Sequence, residues 1–418
     1  MKIRYMKLIV LALLVVVVAA PGYPLAEAQE KVVKIGVLAP LTGSVAADAK
    51  DYVNGVELAV EEINKSGGIL GYNFEFVVAD VGEMETDKVK SAFERLVNRD
   101  KVDVIVTGYT SLTNFEIDIA RQYQMPYLLS GNCESTYSII VKNPSAYPTV
   151  ISVSPSYEGL RSGFFRFVKW ITDKGYFKPM NKKVVIITSD NPYSKNISEG
   201  NRDLFSKGGW TIPVYEMIPF GEVLEWGAVL SKIRNDPPSV ILITDYLLNN
   251  AVTFINQFLK DPTNSLILCE YTPQIAEFQE ILGAKADGII GEATEWLVDV
   301  IGSPKPPASE WLKKFEAKYR YIPGKYGSTL YDSVYIYAEA LKKVGDPKKR
   351  LEIGNALMQS DYWGNSGHLL IDQNTHMAIE GEDYMPYFNY QLQDRKRILI
   401  YPEIYAKGTF KYPYWMKQ

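Results

Sequence analysis

The chain has 418 residues, 47% apolar and 22% charged, with 45 Lys plus Arg against 49 Asp plus Glu and a formal net charge of -4. That length exceeds the roughly 250–300 residues at which one hydrophobic core stops growing, so two lobes are expected, and the composition excludes a disordered or fibrous chain. Mild acidity without a long basic run argues against a nucleic-acid partner, and two cysteines with two histidines are too few for a disulfide framework or a thiolate- or histidine-rich metal site.

The N-terminus reads as an export signal. Lys2, Arg4 and Lys7 precede an apolar run from Leu8 to Ala20, Pro21-Gly22 breaks it, and Ala26-Glu27-Ala28 places small residues where a signal peptidase cuts. The run is shorter than the roughly 20 residues needed to span a bilayer. Residues 1–28 are therefore expected to be a leader cleaved near Ala28. No later stretch is long and apolar enough to span a membrane, so the mature chain is expected free outside the cytoplasm, periplasmic or extracellular.

From Lys31 onward, β-branched runs alternate with amphipathic stretches. Val32–Leu38 reads as a strand, and Tyr52, Val56, Ala59, Val60 and Ile63 mark one helix face, ended by Gly67-Gly68 and Gly71. Phe74–Ala79, Val102–Thr107 and Pro126–Leu129 read as strands, with helices over Val89–Val97 and Phe115–Tyr123 between them. After Val150 a second series follows: strands at Val184–Thr188, Thr211–Met217, Val240–Thr244 and Leu266–Cys269. Its helices fall at Glu158–Ile171, Ile197–Phe205, Val223–Ile233 and Ala251–Leu259. Beyond Gly291 the pattern changes to the helices Glu310–Tyr319 and Thr329–Val344, then strands at His368–Ile371, Tyr387–Gln393 and Arg397–Tyr401. Two successive βα series predict an α/β fold of two doubly wound parallel-sheet lobes.

In such sheets the loops at the carboxyl ends of the strands form the ligand crevice. Here they are polar and hydroxyl-rich: Thr42–Ser44, Gly108–Ser111, Ser130–Cys133, Ser154–Tyr157, Asp190–Tyr193, Asp245-Tyr246 and Glu270-Tyr271. If the two sheets face each other, these groups converge on one cleft.

With the loops laid out this way, the chain resembles the type I periplasmic solute-binding proteins of the branched-chain amino acid and amide ABC transporter group. The resemblance runs from about residue 32 to 402. It is carried by IGVLAPLTG (Ile35–Gly43), GVELAVEEINKSGGI (Gly55–Ile69), YDSVYIYAEALKKVG (Tyr331–Gly345), WGNSGHLLID (Trp363–Asp372) and YQLQD with the later YP (Tyr390–Asp394, Tyr401-Pro402). It implies two lobes joined by three hinge strands, which close over a small molecule and hand it to a membrane permease. The N-terminal lobe is expected over 29–150 plus 293–358 and the C-terminal lobe over 151–292 plus 359–418. A monomer without a cofactor is expected.

Carried over residue by residue, the resemblance places a ligand-carboxylate hydroxyl at Thr110 or Ser111; Ser111 is equally a plain N-cap. Asn132 and Cys133 stand where the family more often has Ala and Thr, which changes the hydrogen-bond inventory. Tyr193 and Tyr246 match aromatic positions that cover the ligand, Glu270 or Tyr271 the position that receives an ammonium group, and Tyr326 an aromatic of the returning segment. Asp48 replaces an aromatic; it reads either as a solvated charge or as a contact to a second positive or polar group of a different ligand. An amino acid is the leading ligand, with urea, a short amide or an aromatic acid as alternatives. Cys133 and Cys269 are expected as unpaired thiols, because a bridge between lobes would clamp them shut.

An enzyme would need a nucleophile, base and orienter or a cofactor motif, and no G-x-G-x-x-G, phosphate loop, G-x-S-x-G or H-E-x-x-H is found. The competing reading is a secreted carboxylate-dependent hydrolase, in which Asp48, Asp190, Asp245 and Glu270 would converge. A sugar-responsive repressor of related fold would carry a DNA-binding helix pair where this chain has its leader, and a receptor ectodomain would be followed by a spanning segment.

Overall fold

The computed structural model describes residues 31–131, 133–294, 308–381 and 383–417. The expected leader and its cleavage site lie outside them. The first lobe opens with β1 (Lys31–Ala39), α1 (Ala46–Lys65), β2 (Tyr72–Asp80), α2 (Thr86–Asn98), β3 (Val104–Thr107), α3 (Glu116–Tyr123), β4 (Tyr127–Leu129), α4 (Cys133–Ile140) and β5 (Val150–Pro155). The second follows with α5 (Glu158–Asp173), β6 (Val184–Ser189), α6 (Pro192–Lys207), β7 (Tyr215–Ile218), α7 (Gly227–Asn235), β8 (Val240–Ile243), α8 (Leu248–Phe258), β9 (Leu266–Cys269), α9 (Ala276–Leu282) and β10 (Ile290–Ala293). The remainder is α10 (Ala308–Tyr319), α11 (Lys325–Val344), α12 (Arg350–Met358), β11 (Asp361–Gly364), β12 (Gly367–Leu370), β13 (Met377–Ala378), β14 (Phe388–Gln393) and β15 (Lys396–Tyr401).

The strands sort into a six-stranded parallel sheet, β13-β5-β4-β3-β1-β2, and a seven-stranded sheet, β15-β14-β10-β9-β8-β6-β7, whose β14 and β15 run antiparallel. Within each sheet the first five strands repeat one order, 2-1-3-4-5, so each lobe has its switch point between its first and third strands. The central strands are near-continuous apolar runs, VIVT in β3, VILI and LILC in β8 and β9, because helices cover both faces of a parallel sheet. At the end of α1, Gly67, Gly68 and Gly71 all have positive φ, a region that side chains with a Cβ rarely enter.

Most of the returning segment belongs to the first lobe. Helix α11 packs against α1 so closely that a Cβ on Gly55 would lie 2.3 Å from the Gly327 carbonyl oxygen. The chain then crosses to the second sheet only after β13, which pairs with β5; Leu369, Ile371 and Ala378 sit in the first core. The expected boundary at 358/359 is thus too early by some twenty residues, because a two-residue strand leaves no periodic signal in the sequence. Strand β10 (IGEA) was also not expected. Its partner β14 lies about 100 residues away, and Gly291 is required there because the Tyr390 ring would be 2.4 Å from a Cβ. The aromatic tail packs on the second lobe: Phe410, Tyr412 and Met416 join one of its cores, and the Trp415 indole N–H donates to the Ser265 carbonyl at 3.0 Å.

No helix among the described residues is long and apolar enough to cross a membrane.

Candidate functional site

A cleft opens between the lobes at the carboxyl ends of both sheets. The first lobe contributes Tyr109, Leu112, Gly131, Glu134 and Ser135, and its returning segment adds Lys325 and Tyr326. Facing them are Leu160, Asn191, Tyr193, Tyr246, Tyr271 and Glu292 from the second lobe and the segments that join it. The expected convergence of strand-end loops is therefore present. The chemistry at its surface differs from the expectation: phenols and carboxylates stand where hydroxyls were anticipated.

Several of these loop groups are engaged inside their own lobes. The Thr42 hydroxyl donates to Asp80 at 2.7 Å, and the Ser44 backbone N–H goes to Glu83 at 3.1 Å. Ser111 donates from Oγ to Glu116 Oε2 at 2.5 Å, its backbone N–H reaches Oε1 of the same carboxylate, and its Oγ accepts the Asn114 N–H at 2.9 Å. These bonds close the turn that leads into α3, whose cap position is Phe115, and they turn the hydroxyl away from the cleft; the plain N-cap alternative does not hold. Glu116 is wholly buried, and desolvation pushes its carboxyl up to about 7. Thr110 is also fully buried and lies beside the Tyr127 phenol, not in the cleft wall. Asn132 and the Cys133 side chain fall outside the described residues.

Four of the tyrosines singled out from sequence do line the cleft. Asn191 caps α6 by accepting the Ser194 N–H at 2.9 Å, and Pro192 follows at the first helical position, which delivers Tyr193 to the cleft at the start of the helix. The Tyr193 phenol donates to Glu270 Oε1 at 2.6 Å. Tyr246 lies edge-on to Tyr193 and, across the cleft, to Tyr109, with ring centroids 5.9 and 6.2 Å apart. Tyr326 opens α11 and meets Tyr52 and Tyr109 in T-shaped contacts at 4.9 and 5.6 Å. Such pairs add about 0.5–1.5 kcal/mol each beyond area burial, so the rings form a stiff cage.

The alternative between Glu270 and Tyr271 resolves into two positions. Tyr271 lines the cleft, whereas Glu270 stands directly behind Tyr193 and beside Glu292. Tyr271 has φ 52° and ψ -55°, a conformation few bulky residues adopt, and its phenol hydrogen-bonds to Asp48 in the opposite lobe. Asp48 is not a solvated loop charge. It occupies the first turn of α1, is buried, and also accepts a short hydrogen bond from the Tyr109 phenol. Burial raises its carboxyl to about 6, against the lowering effect of the two phenols.

Glu292, on β10, was not anticipated. Its Oε1 accepts from the Tyr271 backbone N–H at 3.3 Å and the Gln274 amide at 3.2 Å. Desolvation raises it to about 7 and raises Glu270 further, since two adjacent buried carboxylates cannot both ionise cheaply. Lys325 offsets part of this, its charge acting on Asp48, Glu270 and Glu292 together. Its place immediately before Tyr326 was the available signal. Glu292 had none, because its strand was not legible.

The four carboxylates of the hydrolase reading do not converge. Asp190 is exposed and pairs with Lys195 at 2.5 Å, and Asp245 is held within the second lobe by Ser189 at 3.0 Å and Asn250 at 2.6 Å. His376 is buried with Nδ1 3.1 Å from the Val150 carbonyl oxygen, and His368 stacks on Trp363 at 4.2 Å; neither lines the cleft. Cys269 is a buried free thiol, pushed up by burial.

Comparison with known proteins gives one consistent picture. The family model for periplasmic binding protein matches residues 32–394. A Leu/Ile/Val-binding protein homolog from Brucella suis is 24% identical over 431 aligned positions, covering 98% of this chain and 100% of its own length. The crystal structure of a putative branched-chain amino acid ABC transporter from Silicibacter pomeroyi is 29% identical, with a TM-score of 0.80, covering 92% of this chain and 100% of its own. The branched-chain amino acid transporter substrate binding protein of Streptococcus pneumoniae, in complex with isoleucine, shares the fold at a TM-score of 0.71 and 23% identity, covering 88% and 98%.

Proposed function

The chain belongs to the periplasmic binding protein family, and on that footing we propose that it is the extracytoplasmic solute-binding component of an ABC transporter, capturing a small polar solute by closure of its two lobes. An amino acid is the first candidate, as it is for the relatives named for leucine, isoleucine and valine. The captured solute is handed to a membrane permease, and the protein acts as a monomer released from its leader near Ala28.

The observation that carries this reading is the cleft itself. Residues of both lobes line it, so a molecule held there contacts both only when they are closed, and ligand shifts the open–closed balance by those added contacts. Tyr193, Tyr246, Tyr271 and Tyr326 enclose the solute and exclude water, which strengthens each polar contact made inside. Glu270 acts through Tyr193, and Asp48 with Tyr271 latches the closed form.

A thermal-shift screen of amino acids, amides and aromatic acids tests the proposal. A ligand at 100 times its Kd stabilises the native state by about 2.7 kcal/mol. Plausible hydrolysis substrates are run alongside. Reversible stabilisation without turnover is expected; turnover of any of them would assign the cleft to catalysis instead.

A further inference from the structure

The charges around the cleft do not balance for a neutral guest. Glu134 and Glu292 line it, and Asp48 and Glu270 stand immediately behind its phenols. Against these four carboxylates the described residues set Lys325, whose charge is shared among three of them, and Arg161, which acts on Glu134 but also pairs with Glu158 at 3.7 Å. Two hydroxyls that could receive a ligand carboxylate are turned elsewhere, Ser111 to Glu116 and Ser135 to the Leu112 carbonyl.

A second observation concerns particular atoms. Oε2 of Glu292 and Oε2 of Glu270 are both fully buried, and with both carboxyls ionised no N–H or O–H among the described residues reaches either. The two carboxyls lie within hydrogen-bonding reach of one another, so a single shared proton is the internal way to satisfy them. A ligand ammonium is the other way, since it brings both the donors and the charge. The rings of Tyr193, Tyr246 and Tyr271 beside them are suited to the same group, because aromatic faces attract cations.

We propose that this cleft selects a solute of net positive charge, whose ammonium group is received by Glu292 and Glu270 within the tyrosine cage. The inference rests on the solute-binding reading above and narrows it: a basic amino acid or a diamine is favoured over leucine, isoleucine or valine. On binding, the proton shared by the two glutamates is displaced to solvent and their negative charge is met by the ligand. The groups facing Glu292 in this exchange are Glu270, Lys325, Gln274, Tyr271 and Tyr387.

Calorimetric titration of the mature full-length chain at pH 8 tests this with matched probes. L-lysine and L-norleucine differ by the side-chain ammonium; cadaverine is lysine without its carboxylate; L-arginine and L-leucine complete the panel. At least one cation is expected to bind about tenfold or more tighter than its neutral counterpart, and lysine against cadaverine decides whether the carboxylate contributes. Binding is expected to release a proton, read by titration in two buffers of different ionisation enthalpy. Glu292→Gln keeps the shape and the Oε1 contacts; it should abolish the proton release and weaken lysine and cadaverine about tenfold beyond any loss it causes for norleucine. Should that variant fail to fold, the lysine–norleucine comparison and the proton count on the natural chain still decide. Norleucine or leucine binding as tightly as the cations, with no proton released, overturns this inference and leaves the solute-binding reading standing. Silence here and across the amino acids, amides and aromatic acids of the wider screen removes both.

Discussion

Tyr271→Phe isolates one bond that exists only between closed lobes. Tyr271 follows β9 of the second lobe, and its phenol donates to Asp48 on α1 of the first. The substitution removes one oxygen and leaves the ring in its contact with Tyr326 at 6.3 Å. A hydrogen bond to a charged group contributes roughly 1.5–3 kcal/mol net, and Asp48 keeps its second donor, Tyr109. The closed form should lose about 1.5 kcal/mol or more, at least a tenfold shift toward open, and the affinity for the best solute of the screen should fall by the same factor. Because burial puts the Asp48 carboxyl at about 6, the bond is charge-assisted at pH 8 and neutral at pH 5, where its contribution drops to roughly 0.5–1.5 kcal/mol. The loss of affinity should therefore shrink at pH 5. Calorimetry at the two pH values, with small-angle scattering for the closed fraction, measures both quantities. Equal affinity of variant and natural protein at pH 8, with unchanged scattering and melting, would refute the latch.

Three further outcomes follow from the same geometry. Ser111→Ala should cost about 1–2 kcal/mol of stability through the lost bonds to the Asn114 N–H and to Glu116, with ligand affinity unchanged, because Oγ faces into the lobe; a large affinity loss would return Ser111 to the site. Glu116 is raised from 4.5 to about 7, so the folded state binds its proton more tightly than the unfolded chain. Its contribution is fully present below pH 4.5 and lost as pH rises through 7, a difference of about 3 kcal/mol. Glu116→Gln should flatten the denaturation profile between pH 5 and 8, and an unchanged slope would count against it. Removing the tail from Thr409 onward exposes the surface that Phe410, Tyr412 and Trp415 cover. At roughly 1.5–3 kcal/mol per large apolar side chain fully buried, chemical denaturation should show the second lobe weakened by several kcal/mol. Retained stability would mark the tail as a contact surface instead.

Much of this was legible because it is local. Runs such as VIVT and VILI are apolar throughout and bounded by turn residues, so they read as buried parallel strands; the stripe Tyr52, Val56, Ala59, Val60, Ile63 states a helix by its period. Tyr193, Tyr246 and Tyr271 were reached because strand-end loops are fixed by that same alternation, and Tyr326 only through the family resemblance. What failed has one cause. Strand β10 contains Gly291 and Glu292 and is a strand only because β14 pairs with it from about 100 residues away. Glu292, a carboxylate of the cleft wall, was hidden with it.

By itself, then, the sequence determined two successive α/β units and which loops stand at their strand ends, since periodicity and turn chemistry act within a few residues of chain. Only the tertiary structure decided which polar groups remain for a ligand. Ser111, Thr42 and Asp245 read as binding groups in one dimension, but Glu116, Asp80 and Asn250 engage them first. Asp48, which reads either as a solvated charge or as a ligand contact, is buried under two phenols from different lobes. A hydrogen-bonding group is available to a guest only after its neighbours in space have been satisfied, and those neighbours are chosen by the fold.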